Sequence, residues 1–196
     1  MSGAIKVQPV NRVYALMGGG EAYQEGAVSA SLKRSATGCK IDPASNEPPR
    51  VLTVAELGNY REKAGKLIVA AREELDNLYR IVGRARYVVL LSDEHGVTID
   101  HRGEPAESAR FKDWASLVHG VWSEETKGTN GIGTCIAERR SVTIHPARHF
   151  RSDHIGLSCS VAPIFDTGGE LMGILDISSI DPNPSGHSQV LSQIFA

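Results

Sequence analysis

A chain of 196 residues with 41% hydrophobic side chains can bury one substantial core and has little room for a second. Its net charge of −2 supplies no global basic field, so neither nucleic acid nor an acidic membrane surface is an expected partner. Apolar runs such as Tyr87 to Leu91 fall far short of a bilayer span, and the N-terminus lacks the apolar centre of a signal peptide.

Residues 1–50 form an N-terminal arm, irregular at Gly18-Gly-Gly20 and from Pro43 to Pro49, with a short helix expected over Ala27 to Thr37. Lys33 and Arg34 on that helix suggest a solvated face and no DNA role. Residues 51–83 are a long helical segment. Thr53-Val-Ala-Glu56 is a capping box, and Leu57, Tyr60, Ala64, Leu67, Ala71, Leu75, Leu78 and Val82 follow in one apolar stripe. At 1.5 Å per residue the helix would be about 45 Å long. Gly58 and Gly65 each cost roughly 1 kcal/mol against alanine, so a break near either is expected. The stripe can pack on its own domain or pair with a second protomer, since its spacing is heptad-like.

Residues 84–180 form the core. Strands are expected over Arg86 to Ser92 and Val97 to His101, joined by a turn at Asp93-Glu-His-Gly96. A helix over Ala106 to Val118 follows, then a glycine loop, a helix over Ile132 to Arg139 and a strand over Ser141 to His145. A second hairpin, Leu157 to Phe165 and Glu170 to Ser179, turns at Asp166-Thr-Gly-Gly169. Strand pairs separated by helices, without regular alternation, argue for an α+β antiparallel sheet. Residues 181–196 read as the start of a closing helix that Ala196 cuts short.

The glycine loop, Gly128-Thr-Asn-Gly-Ile-Gly-Thr-Cys135, is not a nucleotide cradle. Gly128 and Gly133 have P-loop spacing, but Thr134-Cys135 stand where lysine and a hydroxyl residue are needed. Gly131-Ile-Gly133 follows polar residues rather than a strand, so the dinucleotide fingerprint fails too. What remains is backbone freedom at Gly128, Gly131 and Gly133, with Asn130 able to tolerate a left-handed conformation. Such a loop suits a tight helix entry or the approach of backbone to a small molecule. Around it Trp122 offers a flat apolar wall, and Thr126, Thr129, Asn130 and His149 offer polar handles.

Metal and thiol chemistry are less well supported. His145 and His149 have i, i+4 spacing, but Pro146 pushes His145 out of helical geometry and the glutamate of a zinc-protease motif is missing. His149, His154, Cys159 and Asp176 could converge on iron or zinc, yet nothing has metal-site spacing, and the expectation is no cofactor, neither metal nor haem. His149 and His154 are instead expected to bond backbone or line a pocket as neutral groups. Cys39, Cys135 and Cys159 are odd in number and widely spaced, which suits reduced thiols in a cytoplasm better than a disulfide framework.

Gly128-Thr-Asn-Gly-Ile-Gly-Thr134, His149-Phe150, His154, Leu157-Ser-Cys-Ser160, Ala162-Pro-Ile-Phe165 and Gly173-Ile-Leu-Asp-Ile-Ser178 together resemble the GAF domain of acetoin catabolism regulators, which are sigma-54-dependent transcriptional activators. Ser31-Leu-Lys-Arg34, Ile41-Asp-Pro43 and Arg50-Val-Leu-Thr53 extend the resemblance upstream. It implies a GAF-like central antiparallel sheet with helices on both faces, preceded by a long helix and the irregular arm. It further implies a ligand pocket between the sheet and the connecting segments. Trp122, Thr126, Thr129, Asn130, Gly131, Gly133, His149, His154 and Cys159 are the candidate ligand-binding residues. The expected ligand is a small uncharged metabolite, an acetoin-like hydroxyketone, ketone or alcohol. The expected protein is a cytoplasmic sensor, a homodimer that binds no nucleic acid directly and enters no membrane, without the ATPase and DNA-binding domains of the family. Two other readings stand beside it: a small redox enzyme using Cys135 and Cys159, similar to free methionine sulfoxide reductase, and a ligand-free dimerisation module.

Overall fold

The computed structural model describes residues 26–39, 41–42, 50–83, 87–103, 118–145, 148–150 and 157–179. In chain order these form α1 (Ala27–Thr37), α2 (Val54–Lys63), α3 (Gly65–Val82), β1 (Val88–Asp93), β2 (Thr98–Arg102), α4 (Glu124–Lys127), α5 (Gly131–Glu138), β3 (Val142–Ile144), β4 (Ser158–Phe165) and β5 (Leu171–Ser179). The strands make one antiparallel sheet in the order β2-β1-β5-β4-β3, so the two hairpins lie side by side with β5 at the centre. The fold is α+β, as expected. The predicted helix over Ala106 to Val118, the arm before residue 26 and the closing helix from Gly186 lie wholly or mostly outside the described residues.

The long helix starts at its capping box. Thr53 Oγ1 accepts from Glu56 N, and a Glu56 carboxylate oxygen accepts from Thr53 N. It breaks at Ala64 (φ −84°, ψ 10°), next to Gly65, one of the two expected break points. The apolar stripe meets the chain's own sheet. Leu57, Leu67, Leu75, Leu78 and Val82 join Val89, Leu91, Val97, Ile99 and Ile177 in one core cluster. Each fully buried aliphatic side chain there contributes on the order of 1.5–3 kcal/mol, which is enough to account for the stripe without a second protomer.

A second core fills the opposite face. Val88, Leu90, Val142, Ile144, Cys159, Val161 and Ile174 pack there against Trp122, Ile132 and Cys135. Strand alternation separates the two cores, because successive side chains point to opposite faces. Register then sets which residues share a row. Leu90, Asp176, Val161 and Val142 stand side by side across β1, β5, β4 and β3, and Val88, Ser178, Cys159 and Ile144 make the next row. Two polar residues of β5 are thereby placed in the middle of an apolar face.

Candidate functional site

The site forms where the connection from β2 to β3 crosses this second face. Trp122 enters it on a bridged segment: its N–H donates to Gly96 O at 2.8 Å, and Val97 bridges Val121. Gly96 sits at φ +80° to make the turn. Trp122 is buried, and Lys127 Nζ lies 5.2 Å from its ring centroid, in cation–π range.

The glycine loop then reverses the chain into α5. Gly128 takes φ 67°, ψ −159°, a region essentially reserved for glycine, and a Cβ there would lie 2.6 Å from the Phe150 ring. Asn130 is extended (φ −150°), not left-handed, and caps α5 by accepting from Gly133 N at 2.9 Å while its amide donates to Gly128 O at 2.8 Å. Gly131 and Gly133 have no positive φ. They are required for close approach. A Cβ on Gly131 would meet Cys159 Cβ at 2.9 Å, and one on Gly133 would meet Trp122 O and Glu124 N at 2.7 Å.

Between this loop and the sheet lies a small cavity lined by Trp122, Asn130, Gly131, Ile132, His149, Leu157, Cys159, Asp176 and Ser178. The cavity is small, about 10 Å³, with room for about one water. Of the residues expected to bind ligand, Trp122, Asn130, Gly131, His149 and Cys159 meet here. Thr126 is exposed, its hydroxyl within reach of Val121 O and Ser123 O, and Thr129 and Gly133 are buried behind the loop. His154 lies outside the described residues. Ile132, Leu157, Asp176 and Ser178 complete the lining without having been expected to bind ligand. The sequence points to Asp176 only as a metal ligand, although an acidic residue two positions from Ile174 and from Ser178 in a strand shares their face.

The polar part of the lining is one connected group. Ser178 Oγ lies 2.9 and 3.1 Å from the two Asp176 carboxylate oxygens and 3.2 Å from Cys159 Sγ, and its single proton serves one of these at a time. Cys159 Sγ is 3.8 Å from His149 Nε2 and accepts from Gly131 N–H. Burial raises the Asp176 pKa to about 7, opposed only by the Ser178 hydrogen bond. Burial, and then the Asp176 charge, push Cys135 up to about 12 and Cys159 well above the ordinary thiol range. Both are protonated thiols at neutral pH, whereas the nucleophile of a thiol redox relay is the thiolate. Among the described residues no group of three or more His, Cys, Asp or Glu is arranged to hold a metal ion. No helix among them is long and apolar enough to cross a membrane.

Helix α1 backs the loop from outside. Ser31 Oγ donates to Thr129 Oγ1 at 3.0 Å and accepts from Thr134 Oγ1 at 2.9 Å, and Ser35 Oγ lies 3.2 Å from Thr129 Oγ1. All four hydroxyl residues are fully buried. Arg34 grips Glu124 side-on through Nε (2.8 Å) and Nη2 (2.9 Å) and reaches Glu138 at 2.7 Å, which ties α1 to α4 and α5.

This chain belongs to the GAF domain family, whose pattern matches residues 66–196. Over 152 residues it is 38% identical to the acetoin catabolism regulatory protein of Cupriavidus necator, covering 78% of this chain and 23% of that protein. It is 28% identical over 152 residues to the acetoin dehydrogenase operon transcriptional activator AcoR of Bacillus subtilis, covering 78% and 25%. It is 27% identical over 157 residues to a signal-transduction and transcriptional-control protein of Clostridium beijerinckii, covering 80% and 24%. The chain thus spans about a quarter of the length of these relatives. The stretches aligned with them are longer than the GAF match and take in residues upstream of it. In fold it is similar to the crystal structure of the E. coli DhaR(N)-DhaL complex, with a TM-score of 0.72 at 13% identity over 83% of this chain and 55% of that one.

Proposed function

We propose that this chain is the small-molecule sensor of a bacterial transcriptional activator of the sigma-54 type, and that its signal is a small uncharged metabolite bound between the sheet and the segment from Trp122 to Ile136. The observation that carries this reading is the cavity itself. It combines an apolar wall, Trp122 with Ile132 and Leu157, and a few convergent polar groups, the composition of a small-ligand site. The names of the relatives, two of which regulate acetoin metabolism, favour a hydroxyketone, ketone or alcohol of about four carbons.

The cavity's size makes occupancy a mechanical event. A four-carbon metabolite needs roughly the space of three or four waters at ~30 Å³ each, and the cavity has room for about one. Binding would then be accompanied by a displacement of the elements around the cavity, the glycine loop and α5 among them. That displacement is what a ligand with different affinity for two arrangements would stabilise. Because α1 is joined to the same loop by buried hydroxyls and Arg34, it would move with it and carry the signal to whatever the module regulates.

The test is a titration of the purified chain with 3-hydroxybutan-2-one, butanone and 2-butanol, followed by calorimetry and thermal denaturation. Saturable heat and a concentration-dependent rise in Tm are expected for at least one compound. Trp122→Ala should weaken that binding by about 1–3 kcal/mol, the value of a buried apolar side chain. Neither heat nor a thermal shift across the series would count against the sensor reading.

A further inference from the structure

Resting on that reading, we infer that Asp176 and Ser178 form the polar end of the cavity and that its ligand is a neutral molecule bearing a hydroxyl group, which bonds to the Asp176 carboxyl. Three observations lead there. Asp176 is 2% exposed, lines the cavity and has Ser178 as its hydrogen-bonding side chain among the described residues. One serine proton cannot satisfy two carboxylate oxygens, so acceptor capacity is left over on a carboxyl that lines the cavity. Among the described lining residues there is no lysine or arginine to pair with Asp176, and a carboxyl buried in that setting is costly without further hydrogen bonds.

The ligand's charge follows from its neighbours. An anion would face Asp176. A cation, although attracted by Asp176, would be repelled by Lys127 Nζ, which lies 5.2 Å from the centroid of the same Trp122 ring. A neutral molecule avoids both repulsions. Its functional group follows from proton bookkeeping. A hydroxyl can donate to the ionised carboxylate and accept from the protonated acid, whereas a ketone oxygen only accepts. A hydroxyl therefore complements Asp176 in either protonation state, and a ketone beside the carboxylate sets two acceptors against each other. The titratable groups that face Asp176 are Cys135 on α5, Cys159 on β4 and, across the cavity, His149. The two thiols stay protonated well above neutrality.

The experiment compares 2-butanol with butanone at pH 8.5, where Asp176 is ionised, by NMR titration of the full chain. The wild type should bind 2-butanol at least tenfold more tightly than butanone, because a site built to bond a hydroxyl rejects the analogue without one. In Asp176→Asn, whose amide both donates and accepts, the preference should shrink to within about threefold. The Asp176 carboxyl ¹³C resonance of the wild type, which needs no variant to fold, should shift as 2-butanol saturates. Equal affinity for the two compounds, or an Asp176 resonance unmoved at saturation, would overturn the hydroxyl assignment and leave the sensor reading standing. Absence of binding by both, together with 3-hydroxybutan-2-one, would remove the two together.

Discussion

Replacing Gly133 with alanine isolates the packing that builds the site. The new Cβ would lie 2.7 Å from Trp122 O and 2.7 Å from Glu124 N, both backbone atoms that no rotamer change can move. The α5 helix must therefore shift away from the Trp122 segment, and the Asn130 cap, whose Nδ2 would be 3.0 Å from the same Cβ, is disturbed with it. Overpacking of this kind costs about 1–3 kcal/mol. For a chain of this size each kcal/mol moves Tm by roughly 2–4 °C, so a fall of about 2–12 °C is expected. Gly58→Ala is the control. Gly58 lies inside α2 with nothing within 4 Å of its would-be Cβ, and alanine there should stabilise by up to about 1 kcal/mol. Differential scanning calorimetry of both variants decides the matter. A Gly133→Ala protein that melts at or above the wild type would refute the close-approach argument.

Asp176 should make stability depend on pH in an unusual direction. Its folded pKa, about 7, is raised above the unfolded value near 3.9, so between these the folded chain holds a proton that the unfolded chain has lost. That contribution is complete below about pH 4 and is lost as pH rises to about 7. It amounts to on the order of 4 kcal/mol, and the unfolding free energy of Asp176→Asn relative to wild type, read from urea titrations, should improve by that order between those limits. Arg34→Ala leaves Glu124, whose side chain is 9% exposed, without its fork; because Arg34 itself is 39% exposed, a loss of about 1–2 kcal/mol is expected, and a double-mutant cycle with Glu124→Gln should recover most of it as coupling. Thr53→Ala should cost about 1 kcal/mol through the lost cap, read from the urea midpoint, with no change in ligand affinity.

Local chemistry was legible in the sequence. Thr53 and Glu56 marked a helix start, glycine marked the break beside Ala64, and apolar runs joined at turn residues marked two hairpins, because capping, backbone entropy and turn chemistry each act within a few residues. Trp122, Asn130, Gly131, His149 and Cys159 could be singled out because each stands in or beside a motif with its own chemistry. The sequence left open whether the α2–α3 stripe packs on its own sheet or on a second copy, and folding buried it against Val89, Leu91 and Ile177. Which glycine of the loop needs positive φ was also open, and it is Gly128; Gly131 is selected by contact with Cys159 and Val161, 28 and 30 residues away, and Gly133 by the backbone of Trp122 and Glu124. Register decided the rest. Asp176 reaches the cavity because β5 pairs with β1 and β4 at Leu90 and Val161, and Thr126 misses it because its hydroxyl turns back to Val121 and Ser123. Pairing between distant strands and the direction of a side chain at a turn are set by the whole packed core, so only the tertiary structure could determine them.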